Sequence, residues 1–68
     1  MTVVRVMELV GESKRDWNEA IAHAVKEAST AVPNVTGVEV VNFTANVMNG
    51  QIVDYKANVK VAYVEDSR

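Results

Sequence analysis

Asn49-Gly50 stands between two β-rich runs. Such a pair is the strongest short-range signal for a two-residue hairpin, because both turn residues need positive φ. The turn sets a register. Met48 faces Gln51, Val47 faces Ile52, and the ladder runs back to Glu39 opposite Lys60. Side chains alternate between faces along a strand. One face then carries Val38, Val40, Asn42, Thr44, Val53, Tyr55, Ala57, Val59, Val61 and Tyr63. The other carries Gly37, Glu39, Val41, Phe43, Ala45, Asp54, Lys56, Asn58, Lys60 and Ala62. The first face is the more apolar and is assigned to the helix. The second is mixed, and binding chemistry is expected there or at a contact between subunits.

At 68 residues the chain reads as one domain, residues 1–68, near the lower limit for a self-sufficient core. A chain this short buries roughly 60% of its unfolded surface. Small domains usually add disulfides, a metal or a partner subunit. Cysteine is absent, which excludes disulfides and thiolate metal sites and fits a reducing compartment. At 49% hydrophobic the sequence is apolar for so small a chain, and homo-oligomerisation is the expected way to bury the excess. A formal net charge of -2 leaves no basic footprint for nucleic acid. There is no signal-peptide pattern and no apolar run long enough to span a bilayer. A cytoplasmic, soluble protein with no membrane partner is expected.

Thr2 to Val10 reads as a first strand, broken by Gly11-Glu12. Ser13 is a good N-cap, and Asp16 adds negative charge at the helix start. Trp17, Ala20, Ile21, Ala24, Val25 and Ala28 recur at spacings of three and four, one stripe of an amphipathic helix. Pro33 disfavours helical geometry at Val32, so the helix should stop at about Ala31. Asn34 to Gly37 connects to two long strands, about Val38 to Met48 and Gln51 to Val64, with a polar tail from Glu65 to Arg68. The layout is β-α-β-β, an α+β arrangement. One helix covers one sheet face, and the other needs a partner.

This layout, with these residues, resembles the dodecins. The stretches that carry the likeness are Arg5-Val6-Met7-Glu8-Leu9-Val10-Gly11 with Ser13, Trp17-Asn18-Glu19-Ala20-Ile21, Glu39-Val40, Asn49-Gly50 and Val59-Lys60-Val61. The resemblance implies a three-stranded antiparallel curved sheet wrapped around one helix. It also implies a hollow dodecamer of tetrahedral symmetry. Most dodecins bind flavins, stacked in pairs, for storage and light protection rather than turnover.

Two positions depart from the flavin pattern. Flavin dodecins carry a stacking Trp in a Trp-x-Glu-Val stretch, and here that stretch is Gly37-Val38-Glu39-Val40. They carry a Gln after the aromatic of the third strand, and here that position is Lys56, after Tyr55. The hairpin register puts Gly37 and Lys56 on the same, non-helix face. An aromatic stack adds on the order of 1 kcal/mol beyond its buried area, so losing both contacts should weaken flavin binding severely. The chain looks closer to the calcium dodecins, a branch without the flavin tryptophan.

The acidic side chains are the ligand set to consider for an ion. Calcium takes six to eight hard oxygens. Asp54, Glu65 and Asp66 are the candidates, and symmetry would supply the copies that a single chain lacks. Glu39 is set aside because the register pairs it with Lys60. Trp17 reads as a core or interface anchor, and His23, a lone histidine, as a surface or packing residue. Asn42, Thr44, Asn46 and Asn58 form a polar patch on the hairpin. No nucleophile has a base and an orienting group at a recognisable spacing, so no catalytic residue and no enzyme activity is assigned. The expectation is a non-enzymatic small-ligand or ion storage protein, with calcium or another hard cation preferred. The alternatives are a flavin dodecin (riboflavin or FMN) with an atypical site, and a purely structural assembly.

Overall fold

The structure, a computed structural model, describes residues 2–66, and of Asp66 the backbone alone. Element order is β1 (Thr2–Ser13), α1 (Trp17–Ala31), β2 (Val35–Met48) and β3 (Gln51–Asp66). The strands form one antiparallel sheet in the order β1-β3-β2. The sheet is curved and open, with the single helix on one face.

β1 is longer than its sequence suggested. It runs through Gly11-Glu12 because β3 offers partners all the way: Gly11 opposes Ala57, Glu12 opposes Lys56 and Ser13 opposes Tyr55. Gly11 is therefore a contact point rather than a break. The helix starts at the cap of Asp16, not Ser13: Asp16 Oδ1 accepts the N–H of Glu19 at 2.7 Å. Ser13 is buried and holds the turn ahead of the helix. Its Oγ accepts the N–H groups of Arg15 (2.9 Å) and Asp16 (3.4 Å) and donates to Glu19 Oε1 at 2.7 Å. α1 ends at Ala31, where Pro33 predicts it. Asn34 turns the chain with φ 60, and its carbonyl accepts from Val64 N, so β2 begins at Val35 rather than Val38. β3 takes in Glu65 and Asp66, which the sequence had placed in a tail.

The hairpin turn is as expected. Asn49 has φ 53, Gly50 has φ 74, and Met48 opposes Gln51. Glu39 opposes Lys60 as the simple count from the turn requires, yet the rows between them are shifted. β3 carries an extra residue at Val53, and β2 carries one at Val41. From Asn42 to Asn46 each β2 residue therefore pairs one position further along β3, with Phe43 opposite Ala57 and Thr44 opposite Lys56. A slip of one residue moves every side chain to the other face. Phe43 and Ala45 thus lie on the helix side, and Asn42 and Thr44 on the outer side, the reverse of the unbulged register. The gain is aromatic. Trp17 meets Phe43 at 5.8 Å and Tyr55 at 4.9 Å, both edge-to-face, and its Nε1–H donates to the Thr44 carbonyl at 2.9 Å.

The core is small. It consists of Ala20, Ala24 and Ala28 from the helix against Ala57, Val59 and Val61 from β3, with Met7, Leu9, Ile21, Val35 and Val40 at its edge. Alanines let helix and sheet approach closely but bury little area. The molecule measures 54 × 18 × 13 Å with a radius of gyration of 14.0 Å. A compact chain of this length would have about 11 Å.

Candidate functional site

The sheet face away from α1 is built of cross-strand rows. Val6, Ala62 and Gly37 form one row, and Glu8, Lys60 and Glu39 the next. Val10, Asn58 and Asn42 follow, then Glu12, Lys56 and Thr44. The first row has small side chains only, and the space above it opens a cleft of about 640 Å³ whose walls include Val6, Glu8, Glu39, Lys60 and Ala62. A Cβ built on Gly37 meets nothing within 4 Å. This position therefore has room for a large side chain and supplies none. What faces the cleft instead is charge: one ammonium between two carboxylates in register. Cross-strand neighbours on one face interact electrostatically. Even so, no ion pair within 4.0 Å involves Lys60 among the described residues.

The sequence offers Glu8 and Glu39 as carboxylates, with Glu39 set aside for its pairing with Lys60, but does not place the two on either side of that lysine. The register of the hairpin reveals Glu39 opposite Lys60. That of β1 is invisible locally, because the helix and β2 separate β1 in sequence from β3, the strand it pairs with.

Lys56 shares the outer face with Gly37, as expected, but not its neighbourhood. Gly37 opposes Ala62, six residues along β3 from Lys56. At about 3.3 Å per residue the two positions are roughly 20 Å apart. One chain does not bring them to a common ligand.

The acidic candidates are dispersed. Asp54 is half-buried beside the base of the hairpin arm. Its Oδ1 lies 4.0 Å from Lys14 Nζ, and Asn46 Nδ2 donates to its Oδ2 at 3.4 Å. Glu65 lies eleven residues further along β3, roughly 36 Å away, and accepts a 2.8 Å hydrogen bond from Arg5 Nε. That bond raises the Arg5 pKa further above its usual value, with the opposite charge of Glu65 as the second cause. The Asp66 side chain lies outside the described residues. Among those residues, no three His, Cys, Asp or Glu side chains converge on a possible metal position.

The polar patch is continuous once the bulges are in place. Asn42, Thr44, Asn46 and Asn58 all lie on the outer face, and Asn58 Nδ2 donates to Asn42 Oδ1. His23 packs at the end of β1, where its Nδ1–H donates to the Glu12 carbonyl at 2.8 Å. A carbonyl can only accept, so this contact sets the ring's tautomer. No helix of the described residues is long and apolar enough to cross a membrane.

Comparison with known proteins follows the same lines. The dodecin family model matches residues 3–66. A dodecin from Streptomyces davaonensis is 29% identical, with 97% of each chain covered and a TM-score of 0.91. A dodecin from Streptomyces coelicolor, 24% identical over 98% of this chain and 96% of that one, has a TM-score of 0.93 and shares the fold. A calcium-chelating antigen from Mycobacterium tuberculosis, described as a calcium dodecin with a novel calcium-binding site, is 27% identical over 90% of this chain and 87% of that one, with a TM-score of 0.79. No curated protein matches the chain.

Proposed function

The chain belongs to the dodecin family, and we propose that it is a non-enzymatic storage shell for a small ligand or ion, with calcium or another hard cation preferred to flavin. The observation that carries this reading is Gly37. The family's stacking tryptophan would stand there, and the position opens onto a cleft walled by Glu8, Glu39 and Lys60 with no aromatic side chain. A flavin needs a flat apolar surface against its ring. A charged wall does not replace one, so the residues present do not fit a flavin. Lys56, where the family's glutamine would stand, offers donors and a charge but no acceptor.

A cation fits the carboxylate chemistry of this face better, and the similarity to the Mycobacterium tuberculosis calcium dodecin supports that choice. Calcium takes six to eight oxygens, and among the described residues of one chain no three carboxylates converge on a metal position. The ion site is therefore placed between copies, where each carboxylate recurs by symmetry. The assembly is a homo-dodecamer in the cytoplasm. What supports assembly is physical: a fully buried core of four alanines and two valines is small for a chain of this size, and chains this short ordinarily add a partner subunit, a metal or disulfides.

The test is to purify the protein and record its mass by light scattering, its visible absorption and its metal content. An assembled, colourless protein that retains stoichiometric calcium through dialysis supports the reading. A yellow preparation would instead identify a flavin dodecin with an atypical site. An assembly that holds neither would be purely structural.

A further inference from the structure

We propose that Asn49 is a site of spontaneous covalent modification: its side-chain amide is lost to attack by the Gly50 backbone nitrogen, leaving aspartate and isoaspartate in the hairpin turn. The inference is independent of the ligand and assembly readings above.

The chemistry needs only water. The Gly50 nitrogen attacks the Asn49 Cγ and gives up its proton. A nitrogen–carbon bond forms, the Cγ–Nδ2 bond breaks, and ammonia leaves carrying a proton. Water then opens the cyclic imide. Opening at Cγ gives aspartate. Opening at the main-chain carbonyl gives isoaspartate, with the chain rerouted through Cβ and Cγ. One water enters for each ammonia lost, and nothing is oxidised or reduced.

The residue that follows singles out this asparagine. Asn49 precedes glycine, whereas Asn18 precedes Glu19, Asn34 precedes Val35, Asn42 precedes Phe43, Asn46 precedes Val47 and Asn58 precedes Val59. A following side chain crowds the attacking nitrogen, and glycine has none. The space around Gly50 is open: a Cβ built there meets nothing within 4 Å. Backbone placement points the same way. Asn18 lies inside the helix, and Asn42, Asn46 and Asn58 lie in paired strands. Asn49 and Gly50 are exposed and lie beyond the last pair, Met48 with Gln51, where local opening is easiest. Asn34 is the built-in control. Among the described residues, it and Asn49 are the two non-glycine residues with positive φ, at 60 and 53. Asn34, however, donates through Nδ2 to the Val64 carbonyl and is followed by a β-branched side chain.

The two products differ in what they do to the hairpin. Aspartate keeps the main-chain length, and Asp-Gly suits the same turn. It adds one negative charge to a formal net charge of -2, in a stretch from Val47 to Val53 that carries none. Isoaspartate lengthens the main chain between Met48 and Gly50. A two-residue turn then no longer closes on the Met48–Gln51 pair.

The test is to age the wild-type protein, in whatever assembly it forms, at mildly alkaline pH and body temperature. Ion exchange should resolve a species with one extra negative charge, and peptide mass spectrometry should place the change at Asn49. Methyl transfer from tritiated S-adenosylmethionine by a protein-isoaspartate methyltransferase should label the same peptide. Gly50→Ala should slow the reaction about tenfold. That variant strains the turn at φ +74, and where it does not fold, the comparison of asparagines within the wild type decides alone. The isoaspartate species should melt below the Asn49→Asp variant, which has the same charge and an ordinary main chain. An Asn49 that stays intact over the time in which the urea-unfolded chain is modified overturns the site. So does one that changes no faster than Asn34. Equal melting of the isoaspartate species and Asn49→Asp overturns the loss of pairing and leaves the site standing.

Discussion

A Cβ placed on Gly11 would lie 1.9 Å from the carbonyl oxygen of Ala20 and 3.0 Å from the Ala24 Cβ, so this glycine sets how closely the helix rests on the sheet. The obstacle is helix backbone, which cannot swing aside as a side chain would. Ala20, Ala24 and Ala57 complete the close approach.

Gly11→Ala should therefore push α1 off the sheet. Overpacking of this kind costs about 1–3 kcal/mol, and more where backbone must move. Urea denaturation of the variant should show a midpoint well below that of the wild type. A midpoint within error of the wild type would mean that helix and sheet are further apart than described.

Asp16→Ala should cost about 1 kcal/mol, because Asp16 Oδ1 caps the Glu19 N–H. Asp16→Asn should keep most of that stability, since the amide oxygen also accepts. Ser13→Ala removes a buried hydroxyl with three partners and should cost more than an exposed cap, about 1–3 kcal/mol. Thermal melts of the three variants, ranked Ser13→Ala lowest and Asp16→Asn highest, check the assignment of the cap to Asp16.

Gly50→Val should destabilise the hairpin by roughly 1–2 kcal/mol, because Gly50 has φ +74, which a β-branched residue adopts poorly. The loss appears as a lower melting temperature or a weakened assembly. If neither changes, the turn does not hold the register.

Riboflavin should bind the wild type weakly or not at all, read as quenching of flavin fluorescence. The double change Gly37→Trp with Lys56→Gln should recover part of the affinity. No atom lies within 4 Å of a Cβ at Gly37, so the ring has space to enter. Trp brings the stacking surface, and Gln both a donor and an acceptor. Tight quenching by the wild type would sink the cation reading in favour of flavin. Measuring each single variant beside the double one separates the two positions, which a single chain holds roughly 20 Å apart.

Much of this layout is legible in residues that act on their near neighbours. Asn49-Gly50 demands positive φ and makes the turn. Pro33 ends the helix through the geometry of the residue before it. Gly37 and Lys56 keep their face because each stands where the count from the turn holds, or where β3 alternates undisturbed. Asp54 and Glu65 were legible as carboxylates but not as neighbours, and the length of one extended strand keeps them apart.

What chain-local chemistry by itself determined is the element order, the hairpin and the amphipathic helix, because φ preference, proline sterics and side-chain period act within a few residues. Only the tertiary structure decided the rest. β1 extends to Ser13 because β3 pairs with it across the helix crossover. The bulges at Val41 and Val53 turn Phe43 toward Trp17 and Tyr55, and Asn42 and Thr44 toward the outside, at the expense of an uninterrupted ladder. That balance is struck between residues far apart in sequence, and no window along the chain contains both sides of it.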